Sequence, residues 1–229
     1  DTLSFVTVHI VKFLLSFKRK MGMFDHLSLE EKWNVYTHGF GAITSLIGIS
    51  WIFSSSSPME LWTIIGVFIY GFSMIFLFSA SSIYHGVKQE RQAFWQKIDH
   101  IGIYLLIAGS YTPVTLTILK ESSGYYLLAG VWAIALIGTI YKLFFIGRFK
   151  NLSLFLYLGM GWLVVFDLQN VMAMFPEQAF IYLALGGFFY TAGTIFYRWE
   201  KLYFHHVIWH VFVLAGAASH FMMVKELVL

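Results

Sequence analysis

Apolar residues run along this chain in stretches of roughly the twenty residues that a bilayer-spanning helix needs, and short polar connections separate them. Seven such stretches stand out, at about 35–53, 60–84, 98–119, 125–146, 152–174, 178–197 and 205–225. A run such as LWTIIGVFIYGFSMIFLF shows none of the alternation that marks the strands of a membrane barrel. The pattern predicts an all-α integral membrane protein, a seven-transmembrane helix bundle. Its connections are short, so residues 34–229 read as a single domain, preceded by a cytoplasmic or interfacial segment at 1–33. Within that first segment, TLSFVTVHIVKFLLSF is too short to span and ends in KRK rather than at small residues. It is therefore expected to lie on the inner leaflet rather than to be a cleaved signal peptide.

Composition supports the membrane reading and narrows the chemistry. Hydrophobic residues make up 59% of the 229 and charged residues 12%, too few charges to cover a soluble globule of this size. The chain has no cysteine, so disulfides, thiolate metal sites and cysteine nucleophiles are excluded, and any metal is held by nitrogen and oxygen. No serine-esterase elbow, P-loop or dinucleotide fingerprint occurs in a suitable context.

Charge sets the expected orientation. The segment before the first helix (Lys12, Lys18, Arg19, Lys20, Lys32), the connections after the second and sixth (Lys88, Arg91, Lys97; Arg198, Lys201) and the connection after the fourth with its flank (Lys142, Arg148, Lys150) hold thirteen of the fifteen basic residues. Only Lys120 and Lys225 remain for the other side. Cytoplasmic loops collect Lys and Arg, which places the N-terminus in the cytoplasm and the C-terminus outside. The pI near 9.0 then needs no nucleic-acid partner. The expected partners are membrane lipids, among them a small lipid substrate.

On this topology His85 ends the second helix, Asp99 begins the third, and His206 and His210 begin the seventh, all at one cytoplasmic depth. Ionisable residues inside a membrane are costly and point to function. His206 and His210 stand four apart and share one helix face, and His85 can supply a third nitrogen. Three protein ligands with an open fourth position suit catalytic zinc, which brings the pKa of its water to about 7; iron and cobalt remain alternatives. Ser81, one turn before His85, is placed to hydrogen-bond a substrate oxygen or the water. Asp99 can act as general base, serve as a fourth ligand, or merely cap its helix. His38, on the first helix, can support the cluster or contact Asn34 or Glu31. His100, His205 and His220 fall on the wrong face or too far along the axis. Asp167 is expected to meet solvent, and Pro113 to bend the third helix.

Four stretches, EEKWNVYTHGFGA, SASSIYH, KIDHIGIYLLIAGSYTP and HHVIWHVFVLAGAASHF, in this order resemble the hemolysin III branch of the progestin and adipoQ receptor family, from about Leu27 to Phe221. The resemblance implies a seven-helix protein with zinc near its cytoplasmic side, bound by His85, His206 and His210. Asp99 matches an aspartate that holds a water on that zinc, and Ser81 matches the motif serine. Kinship with adiponectin receptors and alkaline ceramidases implies hydrolysis of a lipid amide. The long N-terminal domain of the adiponectin receptors has no counterpart here, which favours a bacterial member of the inner membrane over a hormone receptor.

Three functions follow from these expectations. One is a zinc-dependent intramembrane hydrolase of a lipid amide or ester. A second is a sensor or regulator that zinc clamps without catalysis. The third is a pore or transporter with the His and Asp groups as a proton relay, which the gathering of polar groups at one end disfavours.

Overall fold

Among the described residues every regular element is a helix. The structure, a computed structural model, describes residues 24–55, 58–145 and 150–229. The interfacial helix expected before residue 24 and the basic residues Lys12, Lys18, Arg19, Lys20 and Arg148 lie outside that range. The helices are α1 (Leu29–Ser55), α2 (Leu61–Gly86), α3 (Gln89–Leu116), α4 (Gly124–Phe145), α5 (Lys150–Gly161), α6 (Leu168–Met174), α7 (Glu177–Arg198) and α8 (His205–Val228).

Five stretches are long and apolar enough to cross a membrane: α2, α4, Asn151–Met174, α7 and α8. α1 and α3 are longer, with 27 and 28 residues, but polar groups such as Asn34, His38, Gln96 and Asp99 dilute them. α1 nonetheless carries exposed Trp33 near one end and exposed Trp51 near the other. Eighteen residues at 1.5 Å each separate them by about 27 Å, close to the roughly 30 Å of a hydrocarbon core whose two interfaces favour Trp and Tyr. Trp199 and Tyr203 at the α7–α8 turn, and Trp62, Tyr125 and Tyr126 near the starts of α2 and α4, are exposed as well.

The helices pack in chain order from α1 to α4, α5 bridges α3 and α4 to α7, and α8 packs on α7 and closes against α1. Small residues set the close approaches, as expected where lipid gives no hydrophobic drive between helices. A Cβ added to Gly66 would lie 2.7 Å from the Pro113 Cα, and one on Gly102 would lie 3.1 Å from the Leu77 Cα. Large apolar side chains such as Phe40, Ile47, Phe68, Phe72, Ile137 and Phe155 face outward.

The fifth stretch departs from the continuous helix predicted at 152–174. α5 stops at Gly161, a 3₁₀ turn covers Leu163–Asp167, and α6 resumes afterwards. Backbone groups freed inside a membrane need partners, and Tyr111 supplies them. Its hydroxyl donates to the Gly161 carbonyl at 2.7 Å and accepts from the Val164 amide at 3.0 Å. Asp167, expected in solvent, is buried at the end of the turn. It accepts from Ser123 Oγ and, at 2.7 Å, from Asn170 Nδ2.

Candidate metal centre

Helix α1 begins about six residues earlier than its apolar pattern predicts. Ser28 Oγ accepts the Glu31 amide at 3.2 Å, the side-chain half of an N-terminal capping box. The Glu31 carboxylate does not turn back to complete the box. It reaches α2 and accepts a hydrogen bond from His85 Nδ1 at 2.5 Å. That bond puts the His85 proton on Nδ1 and leaves a lone pair on Nε2. His85 Nε2 is buried and has no hydrogen-bond partner.

Two turns further along α1, Thr37 imposes the same tautomer on His210. Its hydroxyl proton is directed to backbone carbonyls of its own helix, those of Trp33 at 2.8 Å and Asn34 at 3.1 Å. With its proton so directed, it accepts from His210 Nδ1, 3.1 Å away. His210 Nε2 is thus free for an ion. Metal-bound imidazoles characteristically donate their second N–H to a carboxylate or another oxygen in this way.

His85, His206 and His210 converge. Each offers one ring nitrogen, and the three atoms lie within 4.8 Å of one another. Their ring centroids are separated by 5.0, 5.0 and 4.7 Å. Three imidazole nitrogens around a tetrahedral zinc stand roughly 3.3 Å apart, given bonds of 2.0–2.1 Å, so a small inward movement suffices. The orphaned Nε2, the two fixed tautomers and the all-nitrogen donor set fit a borderline-soft divalent ion such as zinc.

Residues beyond the triad divide by position. His38 stacks on His210, with centroids 3.5 Å apart and an interplanar angle of 7°. Neither of its ring nitrogens has a hydrogen-bond partner, so the contact foreseen with Asn34 or Glu31 is replaced by packing against the triad. Ser81 and Asp99 line one cavity with His206 and His210. Asp99 stands outside the 4.8 Å group, with Oδ2 3.8 Å from His100 Nδ1.

The cavity has a volume of about 650 Å³. From the histidines it continues past Leu106, Val114 and Val213 to Phe175, Phe180 and Met223. Along α8 the step from His206 to Met223 is about 25 Å at 1.5 Å per residue. Beyond the histidine end its wall is mainly apolar.

A family model for haemolysin-III-related proteins matches residues 27–221. The chain belongs to that family. It is 42% identical to a Hemolysin-3 homolog of Bacillus subtilis (strain 168), a match covering 85% of this chain and 92% of that one. With the Hemolysin-3 of Bacillus cereus it shares 38% identity, over 92% and 97% of the two chains. The human monocyte to macrophage differentiation factor is 30% identical, over 87% and 85%. These relatives and the apolar helices make this haemolysin-III-related chain a multi-pass integral membrane protein.

Three other histidines line the same cavity outside the triad. His100 Nδ1 contacts the Gln96 carbonyl of its own helix at 2.6 Å, and His205 Nδ1 contacts the Phe196 carbonyl at the end of α7 at 3.2 Å. His220 packs edge-on against Tyr190 with centroids 5.4 Å apart. The turn that delivers His206 holds Phe204 at φ 61°, in a left-handed conformation that costs a non-glycine residue roughly 1–2 kcal/mol. Such strain is characteristic of functional sites. Glu31 and Thr37 are the supporting residues that motif reading missed. The SLEE cap signal starting at Ser28 was the available clue to the early start of α1.

Proposed function

We propose that this protein is a zinc-dependent intramembrane hydrolase acting on an amide or ester bond of a lipid, with its site near the cytoplasmic leaflet of a seven-span bundle. The observation that carries the reading is the buried, unpartnered Nε2 of His85 beside His206 and His210, at the polar end of a long apolar cavity. A cavity of that form suits an acyl chain with its polar end toward the histidines. Its wall beyond the histidine end is mainly apolar and offers ions few partners, which disfavours a pore.

Each residue has a role in this reading. His85, His206 and His210 hold the zinc, and Glu31 and Thr37 hold two of those rings in the ligating tautomer. A zinc ion bound there supplies Lewis acidity and lets water ionise near neutral pH. Asp99 takes a proton from the attacking water and passes it to the leaving group as that group departs. Ser81 Oγ donates a hydrogen bond to the carbonyl oxygen as it gains charge.

The test compares zinc content, melting temperature and hydrolysis of a lipid panel that includes ceramides, for wild type, His210→Ala and Asp99→Asn. We expect about one zinc per chain in wild type and most of it gone in His210→Ala. Asp99→Asn should retain zinc and fold while hydrolysis falls roughly 10²–10⁴-fold. If Asp99→Asn instead loses zinc and stability together, and wild type turns over no lipid, the protein is a zinc-clamped sensor.

A further inference from the structure

The last turn of α4 carries a lysine that neither the cluster nor the fold requires. Lys142 was expected on the helical flank of the basic connection after the fourth helix, and only 3% of it is exposed; it lines the cavity with Asp99, His100, Ser153 and Tyr157. An ammonium in such a place is unfavourable unless something balances it. Among the described residues no carboxylate comes within 4 Å of its Nζ. Its Nζ lies 5.9 Å from the ring centroid of its neighbour Tyr141. Asp99 acts on it electrostatically from beyond ion-pair distance and has Oδ2 3.8 Å from His100 Nδ1.

A second unsatisfied group lines the same cavity. Ser153 Oγ on α5 is buried without a hydrogen-bond partner. Tyr104 of α3 ties α4 to α5 there: it packs against Gly138, one turn before Lys142, and against Tyr157, one turn after Ser153, with centroids 4.5 Å apart. A cation and a spare hydroxyl are the complement of a small oxyanion, and a buried polar group lacking partners implies something that supplies them.

We propose that Lys142, with Ser153 Oγ, binds the anionic group, phosphate or carboxylate, of a single-chain lipid whose acyl chain lies in the cavity. This specifies the substrate class of the hydrolase reading and rests on that reading for the cavity's occupant. Lys142 is then the residue that selects anionic over neutral lipids of equal chain length.

The experiment uses the purified zinc-loaded protein in a nonionic detergent and a matched pair of probes. Oleoyl lysophosphatidic acid and monoolein share a chain and a glycerol and differ by one phosphate. We expect wild type to bind the phosphate-bearing probe about tenfold more tightly, the scale of a hydrogen bond to a charged group. In Lys142→Gln that preference should fall below about twofold, with monoolein affinity, zinc content and melting temperature unchanged, and Lys142→Arg should restore it. Should Lys142→Gln not fold, Ser153→Ala is the second variant, with an expected loss of about threefold for the anionic probe alone.

Equal affinity of the two probes for wild type would overturn the proposal, as would an equal loss of both in Lys142→Gln. Inorganic phosphate is the control for source. If it displaces the lipid at equal concentration, the site serves a free anion and the lipid assignment falls. Binding is read without turnover, so a preference without hydrolysis would sink only the hydrolase.

Discussion

Glu31 and Thr37 decide which nitrogen each of two histidines presents, and that decision makes a cluster of imidazoles a ligand set. Without Glu31, His85 can carry its proton on either nitrogen and its ring loses the contact that holds it at 2.5 Å. Loss of such a supporting partner typically costs 10–100-fold in metal affinity. Glu31→Ala is therefore expected to weaken zinc binding by about that factor in a chelator competition, with Glu31→Gln falling between it and wild type. Unchanged affinity in Glu31→Ala would mean that the 2.5 Å contact is only a surface ion pair. The triad itself was legible, because an i, i+4 pair fixes its own geometry and His85 closes its helix at the matching depth. The carboxylate was not, because Glu31 and His85 are 54 residues apart and no local pattern joins them. Lys142 was placed correctly at the end of its helix, and only its burial was not legible: a lysine near a loop carries no sign in the sequence that its side chain turns inward.

At the level of the elements, the seven apolar stretches anticipate where helices form, and their ends and interruptions depend on tertiary partners. The interruption after α5 is the clearest case. Gly159 and Gly161 weaken the helix locally, but the partner that makes the break tolerable in a membrane is Tyr111 on α3, fifty residues earlier. Its hydroxyl meets one donor and one acceptor at once. Tyr111→Phe keeps the ring and removes both bonds, which should destabilise the fold by about 1–3 kcal/mol, read as a lower melting temperature in detergent. Zinc content should not change, because Tyr111 is absent from the ligand set. A variant as stable as wild type would show that water or lipid satisfies the two backbone groups equally well.

For the whole molecule, the question is which end faces the cytoplasm and whether all seven stretches cross. Burial of Lys142 removes one basic residue from the sequence count behind the expected orientation, leaving twelve of fifteen in segments expected to be cytoplasmic, an asymmetry that still predicts the same sidedness. The opposite end is marked by the ion pair of Glu60 and Lys120 at 3.7 Å. Ser123, near Lys120, bonds Asp167, which puts the middle of the broken fifth stretch beside the α3–α4 connection. A seven-span bundle then predicts a side for each connection. Because the chain contains no cysteine, single cysteines can report on it without background. Cysteines at the exposed positions Ser55 and Gln89 should label from opposite faces of the membrane, Ser55 from outside intact cells and Gln89 only after permeabilisation. Glu177, at the start of α7, is the discriminating third site. If α5, the 3₁₀ turn and α6 together form one crossing, Glu177→Cys labels with Ser55. If that stretch re-enters the leaflet it came from, Glu177→Cys labels with Gln89, and the seven-span bundle with an external C-terminus is wrong.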